Sequence, residues 1–210
     1  MSRIFIAPLG FHEDIILRSL IALRASCNDI VYVITCEPVS GAVKRAFDSL
    51  IALTSRQGFP QPLLIELDCN SFYASVKKVR DVLKKHESDE IILCTGGGLR
   101  ALTLITLLSL ISLKRVFTLH YEPETGVEKF TIRQEFFLNI FKDLSKAERK
   151  ALELVIKQPG ISVKELSTIL NIKEKTVRNL ITRLKKRGLV VKKGRREGVE
   201  PSEISLALFT

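Results

Sequence analysis

No run of 18 consecutive apolar residues occurs in the 210-residue chain, so no membrane-spanning helix is expected. The longest candidate, Ala101–Leu113, is short, carries Thr and Ser, and ends at Lys114-Arg115. The sequence opens directly into a strand pattern, without the charged, apolar and cleavage regions of a signal peptide, and a cytoplasmic protein is expected. There is no C-x-x-C spacing and no nearby histidine pair, which argues against a zinc site. Cys27, Cys36, Cys69 and Cys94 read as small buried hydrophobes at element ends, with disulfides left open for a hyperthermophilic source. The absence of G-x-x-x-x-G-K-[ST] excludes a Walker-type nucleotide triphosphatase, and G-x-G-x-x-G is also missing. No Ser-His-Asp order and no metal constellation is visible, so no catalytic residue is assigned.

What is present is an ordinary globular composition, 46% hydrophobic and 27% charged, sufficient for one large domain or two modest ones. The net charge of +10 is unevenly placed. Residues 1–131 carry 15 Lys and Arg against 14 Asp and Glu, whereas residues 132–210 carry 18 against 9. Nearly all the excess therefore lies in the last third, as expected for a polyanion-binding module joined to a near-neutral one.

The first part alternates in period. Ile4–Ala7, Ile30–Thr35, Leu63–Leu67, Ile91–Cys94 and Val116–His120 read as buried strands. Helical patterns fall between them at His12–Ala25, Ser40–Gln57, Ser71–His86 and Leu99–Leu113. This predicts an α/β fold with a mostly parallel sheet covered on both faces, closed by a hairpin through Glu122–Gly126 into Val127–Ile132. Residues 1–132 form this domain. The Phe-rich stretch 133–143, with Phe136, Phe137 and Phe141, is too apolar for a free linker and reads as a connector packed between domains or across a dimer axis.

Residues 144–210 follow another grammar. Ser145-x-x-Glu148 and Ser162-x-x-Glu165 are capping boxes, each opening a helix. After the Asn171-Ile172-Lys173 turn comes a third helix, Glu174–Arg187, ended by Gly188, with Lys173 a poor cap. Leu189–Lys193 and Ile204–Phe209 read as strands flanking a basic loop, which completes a winged helix-turn-helix. Val177, Leu180, Ile181 and Leu184 form the buried stripe of the third helix. Its other face carries Lys175, Thr176, Arg178, Asn179 and Arg183. Arg and Asn can form bidentate contacts with base edges, while Lys and Thr serve phosphates, so this helix is expected in the major groove of double-stranded DNA. Lys192, Lys193, Arg195 and Arg196 of the wing would reach the adjacent backbone. A solvated helix face would also be charged; the turn, the wing and the charge asymmetry together favour DNA.

Two loops of the first domain are unusual: APLGFHED after the first strand and CTGGGLR after the fourth. With strand order 3-2-1-4-5 they are neighbours at the point where the order reverses, which is where open α/β sheets bind ligands. Glycines let backbone approach a ligand, and the helix that follows offers free N–H groups and a positive dipole end. Arg100 in its first turn opposes that dipole, and an anion lying over both would explain it. Thr95 adds a hydroxyl.

These loops, PLGFHED and TGGGLR, joined to a C-terminal winged helix-turn-helix, make the chain resemble the archaeal CRISPR-associated transcriptional regulators over essentially its whole length. Their N-terminal part is a CRISPR-associated Rossmann-fold (CARF) sensor domain. The resemblance implies a Rossmann-like fold, a homodimer with one ligand crevice across its two-fold axis, and control of CRISPR-associated genes. It further implies a cyclic oligoadenylate ligand, cyclic tetra-adenylate foremost. By matching position, Leu9, Gly10, Phe11 and Asp14 belong to its first motif, and Thr95, Gly96, Gly97, Gly98, Leu99 and Arg100 to its second. Arg18, one turn after Asp14, faces the same way. Two alternatives stay open: a ring nuclease that cleaves the cyclic ligand, with His12, Thr95, Arg100 or His120 at hand, and a regulator sensing an unrelated anionic metabolite.

Overall fold

The computed structural model describes residues 2–86, 90–113, 115–125, 129–141, 143–192 and 198–209, without the side chains of residues 138, 141 and 192. The chain divides into two compact units, Met1–Gln134 and Glu135–Thr210. The first holds a six-stranded sheet: β1 Arg3–Pro8, β2 Ile30–Cys36, β3 Pro62–Leu67, β4 Glu90–Thr95, β5 Phe117–Tyr121 and β6 Phe130–Arg133. Its spatial order is β3-β2-β1-β4-β5-β6, the reversal falling between β1 and β4, where the assumed order placed it. β1 to β5 are parallel, and β6 returns antiparallel to β5 with the Tyr121 and Phe130 rings stacked.

The helices α1 Asp14–Ala22, α2 Gly41–Arg56, α3 Phe72–Leu83 and α4 Arg100–Leu113 pack in pairs, α1 with α2 and α3 with α4. Phe5 and Ala7 of β1 join Ile16 and Leu20 of α1 and Val43 and Leu50 of α2 in one cluster. Ile4 and Ile6, also fully buried, point to the opposite face by the strand period. Burial on both faces is why β1 reads as an unbroken apolar run, and each such side chain contributes about 1.5–3 kcal/mol relative to exposure.

The second unit contains most of α5 Gln134–Phe141, then α6 Lys146–Lys157, α7 Val163–Leu170, α8 Glu174–Lys186, β7 Val190–Lys192, β8 Val199–Pro201 and α9 Glu203–Phe209. Both capping boxes are formed, Ser145 with Glu148 and Ser162 with Glu165. Asn171 ends α7 in the left-handed region at φ 52°, and Lys173 gives α8 no side-chain cap. The core is Leu152, Val155, Leu166, Val177, Leu180 and Leu184, with Leu189 and Val199 beside them.

One expected element is different. Ile204–Phe209 is not the second wing strand but lies in α9, and the strand that pairs with β7 is Val199–Pro201. Ile204, Leu206 and Leu208 alternate with small residues, which mimics a strand. Yet Ser202 accepts from the Ser205 N–H as a helix start would, and Ile204 and Phe209 both pack on the core.

Candidate functional site

The loops after β1 and β4 meet back to back, and their glycines are what allows it. A Cβ on Gly10 would lie 3.0 Å from the Gly98 Cα. One on Gly98, at φ 76°, would lie 2.9 Å from the Pro8 carbonyl carbon. Gly96, at φ 129°, has the Glu122 carbonyl directly where a Cβ would go. A Cβ on Gly97 would lie 2.8 Å from the Ile15 Cδ1, a side-chain end that can move where the backbone neighbours of the others cannot.

Between these loops lies a cavity of about 300 Å³. Of the residues expected from sequence, Leu9, Gly10, Phe11, Gly97, Gly98 and Leu99 line it. Phe11 is 66% exposed and Leu99 54%, an unusual position for two large apolar side chains. Asp14, Thr95, Gly96 and Arg100 do not line it. Asp14 is engaged with Arg18 at 3.2 Å. Thr95 is buried and donates its hydroxyl hydrogen to the His120 carbonyl at 3.3 Å, a use within the sheet. Arg100 stands exposed in the first turn of α4 with no hydrogen bond or ion pair among the described residues.

Sequence reasoning missed the third wall. Thr35, Cys36, Pro38 and Ser40, at the end of β2 and before α2, also line the cavity, as does Glu124. β2 neighbours β1, so the strand order alone brings its exit loop to the same edge. Cys36 is joined to Cys69 in a disulfide that ties the exits of β2 and β3, with Cα atoms 5.6 Å apart. Two of the four cysteines are therefore not simple buried hydrophobes, and a third, Cys27, is exposed; Cys94 alone is one, its thiol pushed up to about 12 by burial.

Beside the glycines sits a second feature missed from sequence. Glu122 is fully buried, and its carboxylate faces Lys129 at 3.0 Å, His120 at 3.6 Å and Arg18 at 3.7 Å. Neither carboxylate oxygen has a partner with hydrogen-bond geometry among the described residues, so attraction between charges holds the cluster. Arg18 also donates to the Pro123 and Glu124 carbonyls, which fixes the Glu124 wall to α1. Burial lowers the His120 pKa, against the opposing pull of Glu122.

In the second unit, Lys175, Thr176, Arg178, Asn179 and Arg183 share the exposed face of α8, opposite the buried stripe. Arg178 is 3.3 Å from Glu174 within the helix, while Arg183 donates from Nε to Glu148 of α6 at 2.8 Å. Lys192 lies on β7, and Lys193, Arg195 and Arg196 fall outside the described residues. α5 is fastened to the end of α8: Asn139 donates to the Arg187 carbonyl and accepts from Arg187 Nε, both at 2.7 Å. Among the described residues, no helix is long and apolar enough to cross a membrane, and no group of three His, Cys, Asp or Glu is placed to hold a metal.

Comparison with known proteins matches both units. Residues 3–133 match the Csa3 CRISPR-associated Rossmann-like domain, and residues 144–191 match a winged helix-turn-helix DNA-binding family. The chain is 28% identical over 203 residues to the CRISPR locus-related protein Csa3 of Saccharolobus solfataricus, covering 96% of this chain and 85% of that one. Among solved structures, Csm6 of Enterococcus italicus, bound to cyclic hexa-2'-fluoro-hexa-dAMP, superposes with a TM-score of 0.51 at 13% identity. That match covers 90% of this chain and 52% of the other, so this chain spans about half the length of the Csm6 protein. Can2 of Sulfobacillus thermosulfidooxidans, in complex with cyclic tetra-adenylate, gives 0.47 at 11% identity, covering 99% of this chain and 63% of the other. The doubly wound sheet with its two glycine loops, and the winged helix-turn-helix that follows it, are those of the Csa3 family, to which the chain belongs.

Proposed function

We propose that this chain is a cytoplasmic, ligand-responsive regulator of CRISPR-associated genes, sensing a cyclic oligoadenylate with its first unit and binding promoter DNA with its second. The observation that carries the sensing half is the glycine-walled cavity with Phe11 and Leu99 exposed at its rim and Arg100 unpaired nearby. Apolar faces suit adenine bases, and a free guanidinium beside a helix N-terminus suits phosphate. A cavity of about 300 Å³ is small for a ring of four nucleotides, so the reading includes a homodimer in which two such cavities face one ligand. Cyclic tetra-adenylate, with two-fold symmetry, is the ligand we favour. The fold shared with Csm6, itself bound to a cyclic hexanucleotide analogue, supports the ligand class.

Calorimetric titration with cyclic tetra-adenylate tests this reading. Wild-type protein is expected to bind one ring per dimer, and Arg100→Ala to weaken binding by about 1.5–3 kcal/mol, the cost of a lost charge-assisted contact. No heat from any cyclic oligoadenylate would leave another anionic metabolite as the ligand. His12, which lines the cavity, motivates ligand cleavage as a second reading. Recovery of linear products from labelled ligand would establish it. If ligand and DNA are coupled, each must change the other's affinity by the same factor.

A further inference from the structure

Glu148, the third residue of α6, divides its carboxylate oxygens between two tasks. Oε2 accepts from the Ser145 backbone N–H at 3.0 Å and from the Ser145 hydroxyl at 2.8 Å, closing the capping box. Oε1 accepts from Arg183 Nε at 2.8 Å, joining the start of α6 to the exposed face of α8. With Oε2 occupied by the cap, the carboxylate is not free for the two-pronged grip that would also engage an Nη. The Arg183 Nη groups accordingly have no partner among the described residues. The Arg183 side chain is 55% exposed, whereas that of Glu148 is 12% exposed.

An arginine held in this way has a fixed stem and an open fork. A free arginine surrenders its rotamer freedom when it forms a contact; one already anchored surrenders less. Two unengaged Nη groups match the oxygens of a phosphate. We propose that Glu148 is a positioning residue that presents Arg183 to the phosphate backbone of double-stranded DNA, an inference that rests on reading Glu135–Thr210 as the DNA-binding unit. Glu148 stays ionised in this role, because the Ser145 hydroxyl and backbone N–H, with Arg183, bring its carboxyl down to about 2.

The sign of one substitution separates this from the simpler effect of charge. Glu148→Gln removes a negative charge close to DNA, which by itself would tighten binding. Gln also serves in a capping box, so helix α6 should keep its start, and the lower melting temperature expected from losing the carboxylate is met by titrating at a temperature where both proteins are folded. Full-length proteins are titrated against a labelled random-sequence duplex over a range of salt. Arg183→Ala is expected to flatten the logarithmic salt dependence by about one unit, one phosphate contact. Glu148→Gln should keep the slope and weaken binding about threefold to tenfold, the cost of ordering one side chain at the interface. In the Arg183→Ala background it should weaken nothing further. Arg183→Lys, which leaves the cap untouched, should keep the slope and weaken binding as Glu148→Gln does.

Binding by Glu148→Gln equal to or tighter than wild type would overturn the proposal. So would the same weakening with and without Arg183, since Glu148 would then act through the fold. Wild-type binding by Arg183→Lys would show the fork to be unused. A wild-type protein with no salt-dependent affinity for duplex overturns the DNA-binding reading first, before any variant is compared.

Discussion

In Met1–Gln134 the charges with structural consequence are inside: Glu122 fully buried, Asp29 and His120 each 5% exposed. In Glu135–Thr210 the buried polar side chains among the described residues are Asn139 and Ser205, both uncharged, and ionic groups stand on the surface. Asp29 shows how the first unit tolerates its burial. Desolvation alone would raise its pKa, but Arg3, paired at 2.7 Å, and backbone N–H groups override it and hold the carboxyl low. The second unit meets few such penalties; its carboxylates Glu148 and Glu165 accept from the N–H groups and hydroxyls of Ser145 and Ser162 at the helix starts. One unit is thus built to hold a shaped cavity, the other to display charge. A buried ion pair is costly to disturb, whereas a surface pair has little effect on stability when removed.

The largest expected difference lies in two glycines that share a positive φ. Gly96→Ala drives a Cβ into the Glu122 carbonyl, backbone against backbone, and should cost about 4 kcal/mol or more. Gly160→Ala, at φ 85° with open space around it, should cost only the left-handed penalty of about 1–2 kcal/mol. Denaturant unfolding of both variants measures this. Equal costs would mean that the glycine loops of the first unit are no more constrained than a helix-to-helix turn.

The disulfide comes next. Cys36 and Cys69 enclose a loop with a sequence separation of 33, and removing the bond by Cys36→Ser with Cys69→Ser should cost about 2–4 kcal/mol. The loss belongs to the first unit, and all three tyrosines, Tyr32, Tyr73 and Tyr121, lie there in a chain without tryptophan. Tyrosine fluorescence therefore follows this unit alone. A transition shifted equally in fluorescence and in far-ultraviolet dichroism would instead mean that the two units unfold together.

Much of this contrast was legible in the residues. The parallel sheet followed from strand–helix alternation, the meeting of the two glycine loops from an assumed strand order, and the α8 face from the 3.6-residue spacing of Val177, Leu180, Ile181 and Leu184. Other features were not. Glu122 precedes Pro123 at the end of a strand, which reads as a turn; only the fold shows Arg18, over a hundred residues earlier, closing over it. The Cys36–Cys69 pairing depends on β2 and β3 lying side by side, which spacing does not encode. The run from Ile204 fits periods of 2 and 3.6 equally, and Ser202 with core contact decided for helix.

The smallest expected effect tests the comparison through acid. The His120 pKa is lowered in the folded state, chiefly by burial, so below about pH 6.5 the unfolded chain takes up a proton that the folded one resists. Stability of the first unit should begin to fall there and go on falling until the pH passes the folded pKa. Glu148 behaves differently: folded at about 2 against an ordinary 4.5, its contribution is complete above pH 4.5 and is lost as the pH falls toward 2. Glu165, lowered by the Ser162 hydroxyl and N–H, has the same sign. Between pH 6.5 and 4.5 the tyrosine-reported transition should therefore shift to lower denaturant, while the dichroic transition that tyrosine does not report, that of the second unit, holds. His120→Gln should flatten the first response and leave the second unaltered. A flat tyrosine response in wild-type protein would mean that His120 protonates in place beside Glu122, so that the buried cluster absorbs the charge instead of resisting it.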